Sequence, residues 1–386
     1  MADHQKPLPA GWRWVRLGEL CEFIRGVSFD KSEVRTNGLP GYLPVLRAGN
    51  IHGALDVVND LVWVPEINVS REQRLRLGDI AICMSSGSPA VVGKTAQLKS
   101  VWSGSVGAFC GIIRPRSSDM ADYLGLWFRS PEYAAWRDGQ ARGANIQNLR
   151  FSQFEILEIP VPTVEEQKRI AAILNEQMTA VERARAAAEA QLEAAKSLPA
   201  AYLRAVFSSP EAQGWQLVRI LEVADRLPTG IQYERSSCKA QGRVPVVDQS
   251  ERGYIGYHDD KPGVLASENH PIVTFANHTC AVRLHKSPFS TIQNVFPLRA
   301  KKGTDASFLF WLLKGRLPPS FYGGHWPKLT AMDLPFPPLE EQRRIAAILH
   351  EQMRAVERAR KAIEQELDAI NKLPAALLRR AFNGEL

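Results

Sequence analysis

The sequence lacks the features that define membrane, secreted and disulfide-stabilised proteins. No apolar run approaches the roughly 18 residues that a helix needs to cross a bilayer. The first residues, MADHQKPLPAGWRWV, contain no apolar core of the kind found in secretory signal peptides. The cysteines are odd in number and scattered without a CxxC pair: Cys21, Cys83, Cys110, Cys238 and Cys280. These absences predict a cytoplasmic protein with reduced thiols.

Recognisable nucleotide-binding and metal-binding motifs are also missing. Gly93-Lys94-Thr95 resembles the end of a phosphate-binding loop, but that loop needs a glycine five residues before Gly93, where this chain has Ser88. Four histidines cluster at positions 258, 270, 278 and 285, yet neither their spacing nor any nearby cysteine fits a zinc site. We expect these histidines to lie in polar loops or to face a ligand. The sequence predicts no metal site and no catalytic site in this chain.

What the chain does contain is the composition of an ordinary globular protein. Its 386 residues are 45% hydrophobic, which excludes wholesale disorder, and the length predicts two or three domains. Lys and Arg number 48 against 41 Asp and Glu, a net charge of +7. This modest excess hints at an anionic partner such as nucleic acid, and a soluble basic protein is the alternative.

An internal duplication organises the chain. Residues 165–207 and 340–382 align without a gap at an offset of 175, and 29 of the 43 positions are identical. A shorter pair of similar segments lies before the globular segment of each copy, GWRWVRLGEL at 11–20 and GWQLVRILEV at 214–223. The chain therefore consists of two sequence repeats, each with a GW segment, a variable globular segment and a helical segment.

The duplicated segments predict long helices. They are rich in Ala, Glu, Arg, Gln and Leu and contain no Gly or Pro for more than 30 residues. Thr163 with Glu166 fits a capping box at the first helix, and the second follows Pro337-Pro338. We expect each long helix to end near Pro199 or Pro374, with a short helix after it, because the residue before a proline disfavours the helical conformation.

An apolar residue recurs at every seventh position of both helices, which is typical of a coiled coil. This seam consists of Leu174, Val181, Ala188 and Ala195 in the first copy and Leu349, Val356, Ile363 and Ile370 in the second. If the copies pack on each other in antiparallel fashion, Val181 meets Ile363 and Ala188 meets Val356. In the alternative, each helix packs only on its own globular segment.

The two globular segments, residues 18–160 and 220–336, contain short apolar runs broken by Gly, Pro, Asn and Ser. Such runs predict strands and turns, with some helix, so the fold class is α+β. The predicted architecture is two globular domains of mixed helix and strand joined by two long antiparallel coiled-coil helices. Its boundaries are residues 1–162 and 211–338 for the globular domains and 163–210 and 339–386 for the helical spacers. The globular segments do not align beyond a few residues, so we expect two dissimilar heads.

Two dissimilar heads on near-identical helices suit a ligand that is itself two-fold, such as a DNA duplex read at two places. A helix of about 32 residues is about 48 Å long. That length corresponds to about 14 base pairs of B-form DNA. The heads are therefore expected to contact half-sites about one helical turn or more apart.

Several stretches resemble the specificity subunit of type I restriction–modification systems. They are LPAGWRWVRLGEL, SSGSPAVVGKTA and the junctions IPVPTVEEQKRIAAIL and PFPPLEEQRRIAAIL, and the order of variable and repeated regions also matches. The resemblance implies two target-recognition domains, each reading half of a split asymmetric DNA sequence, and a coiled-coil spacer. The second domain departs from the family in one turn, where Ala276-Asn277-His278-Thr279 replaces the usual GDHT.

The same resemblance implies partners that carry out the chemistry. Two methyltransferase subunits would dock on this chain, and two restriction subunits can join them. Methylation of adenine would use S-adenosylmethionine, and cleavage would use ATP and magnesium, all on the partner subunits. The chain itself contains neither the [DN]-P-P-[YF] motif of adenine methyltransferases nor an F-x-G-x-G loop. It is therefore expected to be a non-catalytic DNA-binding subunit in methylation and host defence.

Base reading needs side chains with paired polar groups, such as Arg or Lys for guanine and Asn or Gln for adenine. Candidates in polar turns of the first head are Arg47, Asn50, Ser85, Ser86, Lys94, Arg142, Asn145, Gln147 and Asn148. Those of the second head are Gln249, Ser250, Tyr257, His278, Thr279, Arg283, His325 and Lys328. Phosphate contact or a solvated surface is the alternative role for each. Trp326 is the tryptophan most suited to base stacking, whereas Trp12, Trp127, Trp215 and Trp311 suit the core.

Two other functions stay open at the sequence level. One is an enzyme that acts on nucleic acid by itself, which would need a catalytic constellation. The other is a coiled-coil scaffold whose heads bind proteins or glycans. Salt-dependent affinity for DNA separates a DNA-reading protein from such a scaffold.

Overall fold

The structure is a computed structural model that describes residues 8–141, 148–251, 253–317 and 323–386. The chain divides into two compact units. Unit 1 comprises Met1–Ala187 with Leu367–Leu386, and unit 2 comprises Ala188–Glu366. Each unit thus contains one head and parts of both long helices. No helix in the described ranges is both long enough and apolar enough to cross a membrane.

The first head, residues 13–161, contains two main sheets. Its elements are β1 Arg13–Arg16, α1 Leu17–Leu20, β2 Cys21–Arg25, β3 Tyr42–Leu46, β4 Ile51–His52, β5 Ala54–Leu55, β6 Val62–Pro65, β7 Ile80–Cys83, β8 Thr95–Gln97, β9 Ser105–Val106, β10 Cys110–Pro115, α2 Ala121–Trp127, α3 Pro131–Ala141, α4 Phe151–Glu155 and β11 Glu158–Val161. The four-stranded sheet has the order β2-β10-β7-β8, and the three-stranded sheet has the order β6-β3-β9. In addition, β1 pairs with β11, and β4 pairs with β5.

The second head, residues 216–336, lies after the first long helix, α5 Val164–Phe207, and the short α6 Pro210–Gln213. Its elements are β12 Gln216–Val218, α7 Ile220–Val223, β13 Ala224–Arg226, β14 Val244–Val247, β15 Tyr254–His258, β16 Ile272–Ala276, β17 Val282–His285, β18 Ser290–Thr291, β19 Val295–Ala300, α8 Ala306–Arg316, α9 Trp326–Ala331 and β20 Leu334–Phe336. Its sheets have the orders β13-β19-β16-β17 and β15-β14-β18, and β12 pairs with β20. The second long helix, α10 Leu339–Phe382, follows.

The two heads have the same topology, although their sequences led us to expect dissimilar heads. Both place a parallel strand pair in the smaller sheet, with Leu46 opposite Val106 in the first head and Val247 opposite Thr291 in the second. A strand needs only apolar side chains at its buried positions, and many residue types satisfy that need. The sequences can therefore lose their similarity while the strand order stays the same. The described part of the first head has additional structure in β4, β5 and α3.

Both long helices continue through their prolines, so the prediction that they end near Pro199 and Pro374 is wrong. Each helix has 44 residues with the proline inside. A proline within a helix costs about 3 kcal/mol. The turns beyond the prolines bury Leu203 and Phe207 in unit 2 and Leu378 and Phe382 in unit 1. Burying each large apolar side chain contributes about 1.5–3 kcal/mol, which offsets the cost of the proline.

The helix starts agree with the predicted signals. The backbone N–H of Glu166 donates to Thr163 Oγ1 at 3.4 Å, as a capping residue requires. At the next position the side-chain amide of Gln167 donates to the Pro162 carbonyl at 2.9 Å. The equivalent Gln342 donates to the Pro337 carbonyl at 2.8 Å. The duplication therefore extends to the buried hydrogen bonds that join each head to its following helix.

Along both helices the predicted seam is the least exposed row of side chains. Leu174, Val181, Ala188, Ala195, Leu349, Val356 and Ile370 are buried, and Ile363 is half-buried. In unit 1, Ile170 and Leu174 of α5 belong to the same apolar cluster as Leu378 and Phe382 of α10. In unit 2, Leu203 and Phe207 of α5 share a cluster with Ile345 and Leu349 of α10. Each unit therefore packs the beginning of one long helix with the end of the other.

Candidate nucleic-acid interface

In the first head, three of the predicted segments meet at one edge of the sheets. The segment after β3 carries Arg47 and Asn50, the loop after β7 carries Ser85 and Ser86, and Asn148 lies just before α4. Ser85 and Asn148 form an isolated β-bridge. The backbone N–H of Leu149 donates to the Met84 carbonyl at 2.8 Å. We call this group of segments, residues 47–50, 84–94, 107–109 and 148–150, the loop edge of the first head.

The loop edge of the first head opens into a cleft of about 1150 Å³. Five predicted residues line it, Arg47, Asn50, Ser85, Ser86 and Asn148, together with Lys31, Phe29 and Phe109. Lys94 follows in the same loop, half-buried, outside the lining of this cleft. Arg142, Asn145 and Gln147 lie outside the described residues.

The lining residues differ in how far the fold already uses them. Asn50 is buried, accepts the Arg47 backbone N–H at 2.8 Å and donates to the Asn59 carbonyl at 2.8 Å. It therefore holds the turn. Arg47 is exposed, and its guanidinium donates to the Asp60 carbonyl at 3.1 Å, a contact that keeps the cation at the cleft. Ser86 accepts the Ser88 N–H at 3.2 Å, which stabilises the loop tip.

The second head gathers its predicted residues at the equivalent edge. Gln249, just after β14, accepts the His278 N–H at 3.0 Å, and its carbonyl accepts the Thr279 hydroxyl. Asn277 Oδ1 accepts the backbone N–H groups of His325 at 3.0 Å and Trp326 at 2.7 Å. These contacts join the ends of β14 and β16 to the start of α9. We call residues 248–250, 277–281, 292–294 and 323–326 the loop edge of the second head.

The remaining candidates of the second head divide into those near the loop edge and those away from it. Ser250 donates its hydroxyl to Asp248 at 2.8 Å, and Lys328 is exposed on α9. His325 is buried directly before α9. Tyr257 lies opposite Pro245, near the start of β14, whereas Gln249 follows the end of that strand. The structure therefore does not bring Tyr257 to the loop edge.

Arg283 lies beside the loop edge, but its guanidinium is engaged within the fold. It donates to the Gly253 carbonyl and to Asp248 Oδ1, the latter at 3.1 Å. The side chain of Arg283 is 14% exposed and that of Asp248 is 15% exposed. Burial lowers the pKa of the guanidinium, and the Asp248 carboxylate opposes that shift. Arg283 therefore stabilises the turn between β14 and β15.

Two histidines that we expected in loops or facing a ligand are instead buried within strands. His258 shares hydrogen bonds with Ser290 at 2.9 Å and Tyr233 at 3.0 Å, and its ring stacks on Tyr233. His285 shares one with Thr274 at 2.9 Å. Desolvation lowers the pKa of His285 to about 4, so it is neutral at pH 7. The expectation failed because an imidazole whose ring nitrogens have hydrogen-bond partners can be buried.

Trp326, which we expected to suit base stacking, has its ring packed partly within unit 2. Its ring centroid lies 4.9 Å from that of Phe296, and the Arg226 guanidinium lies 5.3 Å from it. Trp326 is half-buried and packs against the apolar cluster of unit 2. In the described part of the chain, no group of three or more His, Cys, Asp or Glu side chains is placed to hold a metal ion.

The residues that sequence reasoning missed are Phe109 and Asn277. Phe109 was not among the predicted site residues, and it lies directly before β10, which begins at Cys110. The ring of Phe109 is 70% exposed in the cleft. Asn277 belongs to the turn that departs from the GDHT pattern, and that departure was the available signal for a structural role.

Comparison with known proteins gives a consistent result. A family model described as the type I restriction modification DNA specificity domain matches residues 9–192 and 212–368. The chain is 35% identical over 201 residues to the StySPI specificity subunit of Salmonella potsdam, and 32% over 209 residues to the EcoKI specificity subunit of Escherichia coli K12. These alignments cover 52% and 54% of this chain and 43% and 45% of the relatives. The matched part is thus less than half of either relative.

Two solved structures share the fold over the whole chain. The HsdS subunit of Thermoanaerobacter tengcongensis is 21% identical with a TM-score of 0.67, and the match covers 100% of both chains. A chain from a structure on complex assembly and conformational transition of the type I R-M system is also 21% identical. Its TM-score is 0.76, over 99% of this chain and 100% of that one.

Proposed function

The chain belongs to the type I restriction modification DNA specificity family, and from this premise we propose that it reads a bipartite, asymmetric DNA sequence. Each head would contact one half of that sequence through its loop edge. In this proposal the chain catalyses no reaction. It selects the DNA on which its partner subunits act.

One observation carries the proposal: the two heads have the same framework and different side chains at the same loop edge. The first head carries Arg47, Ser85 and Asn148 there. The second carries Gln249 and His278, and its Gln249 amide is bonded to the His278 N–H and the Gln293 carbonyl. Base edges are distinguished by the donors, acceptors and apolar groups placed against them. A shared framework with different edge chemistry is therefore what two readers of different sequences require.

The long helices would set the distance between the two half-sites. We propose that they pair as an antiparallel coiled coil, with Val181 opposite Ile363 and Ala188 opposite Val356. The buried seam and the packing of helix beginnings with helix ends inside each unit support this pairing. Inserting seven residues at equivalent positions of both helices adds about 10 Å, or about three base pairs. An unchanged gap between half-sites would rule out the spacer role.

The exposed surface of the helices supports docking of the same partner on both copies. Glu176, Ala180 and Arg183 are exposed in α5, and the identical Glu351, Ala355 and Arg358 are exposed in α10. The buried seam, in contrast, has changed at Ala188, which is Ile363 in the second copy. Exposed residues are usually free to change with little effect on stability. Their identity supports a shared partner on both copies, which we propose to be two methyltransferase subunits.

The chemistry would then reside on the partners. S-adenosylmethionine would bind to the methyltransferase subunits, and ATP with magnesium would bind to restriction subunits that join the complex. The complex would work in the cytoplasm on double-stranded DNA. The family match favours this function over a scaffold with protein- or glycan-binding heads, which no comparison supports. A scaffold would also show no salt-dependent affinity for DNA.

The test is a single-molecule methylome of the host with and without this gene. The proposal predicts that deleting the gene abolishes one split, asymmetric N6-methyladenine motif and leaves other methylated motifs unchanged. Restoring the gene on a plasmid controls for the deletion. If no motif is lost and the purified complex shows no sequence preference for DNA, the proposal is wrong.

A further inference from the structure

Phe109 occupies a fixed position at the loop edge of the first head. It lies between β9 and β10, and its carbonyl accepts the backbone N–H groups of Met84 at 2.9 Å and Ser85 at 3.0 Å. These two hydrogen bonds attach its backbone to the loop that carries Ser85 and Ser86. The backbone of Phe109 is therefore held in register with the cleft lining.

The side chain of Phe109, in contrast, is not used by the core. Its ring is 70% exposed, and it makes no ring–ring contact within the part of the chain that the structure describes. The ring faces the cleft that Arg47, Ser85 and Asn148 also line. A large exposed aromatic side chain among polar groups is typical of a binding surface.

The second head shows that the backbone role of Phe109 does not require an aromatic residue. Asn294 stands at the equivalent place, directly before β19, and its carbonyl accepts the Asn277 N–H at 2.8 Å. The same backbone contact is thus made by Phe109 in one head and by Asn294 in the other. At this position the first head has an aromatic ring and the second has an amide, so Phe109 belongs to the difference between the heads.

We propose that Phe109 is a specificity-determining residue of the first head that contacts the C5-methyl group of a thymine. This inference rests on the proposed function. The thymine methyl is the apolar group that the major groove of DNA presents among polar base edges, and phenylalanine is one of the side chains that contact it. Arg47 and Asn148, on the same cleft, would contact neighbouring polar groups. The first half of the target would therefore contain a T·A pair at one defined position.

The experiment uses the full chain in complex with its methyltransferase subunits and a duplex that carries the mapped target. Each thymine of the first half-site is replaced in turn by uracil, which removes only the methyl group. At one position the affinity of the wild-type complex should fall about fourfold, the factor expected for burying one methyl group. Uracil in the second half-site, which Phe109 would not contact, should cause no loss of affinity that depends on Phe109.

The matching variants are Phe109→Ala and Phe109→Asn, the second carrying the residue of the other head. Each should weaken binding on the order of tenfold and should bind thymine and uracil equally at the identified position. Val101→Ala is the control, because Val101 is 91% exposed in the same head and does not line the cleft. It should bind like the wild type and keep the discrimination.

The outcomes separate this inference from the proposed function. A complex without any sequence preference would overturn both. A split target that contains no thymine in its first half, or whose recognition is insensitive to uracil throughout that half, would overturn the role of Phe109 alone. So would a Phe109→Ala complex that still discriminates thymine from uracil. Because the uracil measurement needs only the wild-type complex, it decides even if a variant does not fold.

Discussion

The two heads have the same strand order, yet they differ in nearly every side chain that faces the loop edge. The first head places an exposed Phe109 where the second places Asn294, and a cleft lined by Ser85 and Asn148 where the second joins Gln249 to His278. The fold depends on apolar residues at buried strand positions, which many sequences supply. The edge depends on individual side chains. The side chains that we propose to read DNA therefore differ between the heads at the loop edges, where the fold needs few particular residues.

The heads also differ in the polar groups that they bury. In the first head Arg114 of β10 donates to Asp79 at 2.7 Å, with side chains 7% and 2% exposed. In the second head the buried polar groups include His258 and His285. The long helices show the opposite behaviour, since equivalent residues make equivalent contacts. Phe382 packs on Tyr123 in unit 1, and Phe207 packs on Phe308 in unit 2.

The largest expected effects come from equivalent contacts that the end of a long helix makes inside each unit. Phe382→Ala should destabilise unit 1 and Phe207→Ala should destabilise unit 2, each by about 3–5 kcal/mol, because each leaves a cavity in a core. Hydrogen exchange followed by mass spectrometry locates the loss of protection. Leu373→Ala, at a position 44% exposed, is the control and should have little effect. Equal loss in both units from either variant would contradict the equivalence of the two contacts.

A somewhat smaller effect should be confined to the first head. Asp79→Asn leaves the Arg114 guanidinium buried without its carboxylate, which costs about 3 kcal/mol. The value lies at the low end because Arg114 keeps its bonds to the carbonyls of Glu72 and Arg74. Urea denaturation monitored by hydrogen exchange in each head measures the change. Arg299→Ala, at an exposed position of β19 in the second head, should change stability by less than about 0.5 kcal/mol.

The smallest effect should appear as a pH dependence of the second head alone. His285 has a pKa of about 4 in the folded protein and about 6.5 when unfolded, so the unfolded state binds the proton first as the pH falls. Stability is complete above pH 6.5 and is lost progressively down to pH 4, with about 2 kcal/mol lost at pH 5. His285→Gln should remove this part of the pH dependence. The first head, whose described histidine His52 is exposed, should lack it.

The sequence predicted the repeated part of the fold better than the heads. The seven-residue spacing identified the seam from Leu174 to Ala195 and from Leu349 to Ile370, because a helix repeats its environment at a fixed interval. The prediction that the helices end near Pro199 and Pro374 failed, because the burial of Phe207 and Phe382 is a tertiary effect that the local preference of proline does not contain. The shared topology of the heads was equally hidden, because strand order depends on contacts between distant residues.

The candidate site shows the same limit. Turn residues such as Arg47, Ser85 and Gln249 were recognised as polar, but nothing local indicates that Ser85 and Asn148 form a bridge. Residue type alone also failed to show that Asn50 and Arg283 are engaged within the fold. Phe109 was missed because an aromatic residue beside an apolar run is expected to be buried. Exposure, which decides its role, is a property of the folded head.

The proposed function requires each head to read its own half of the target independently of the other. Its most direct test is to replace residues 18–160 with the corresponding segment of another family member and to map the methylated motif in a host that carries the chimaera. We expect one half of the motif to change and the other half and the gap to stay the same. A motif changed in both halves would contradict it.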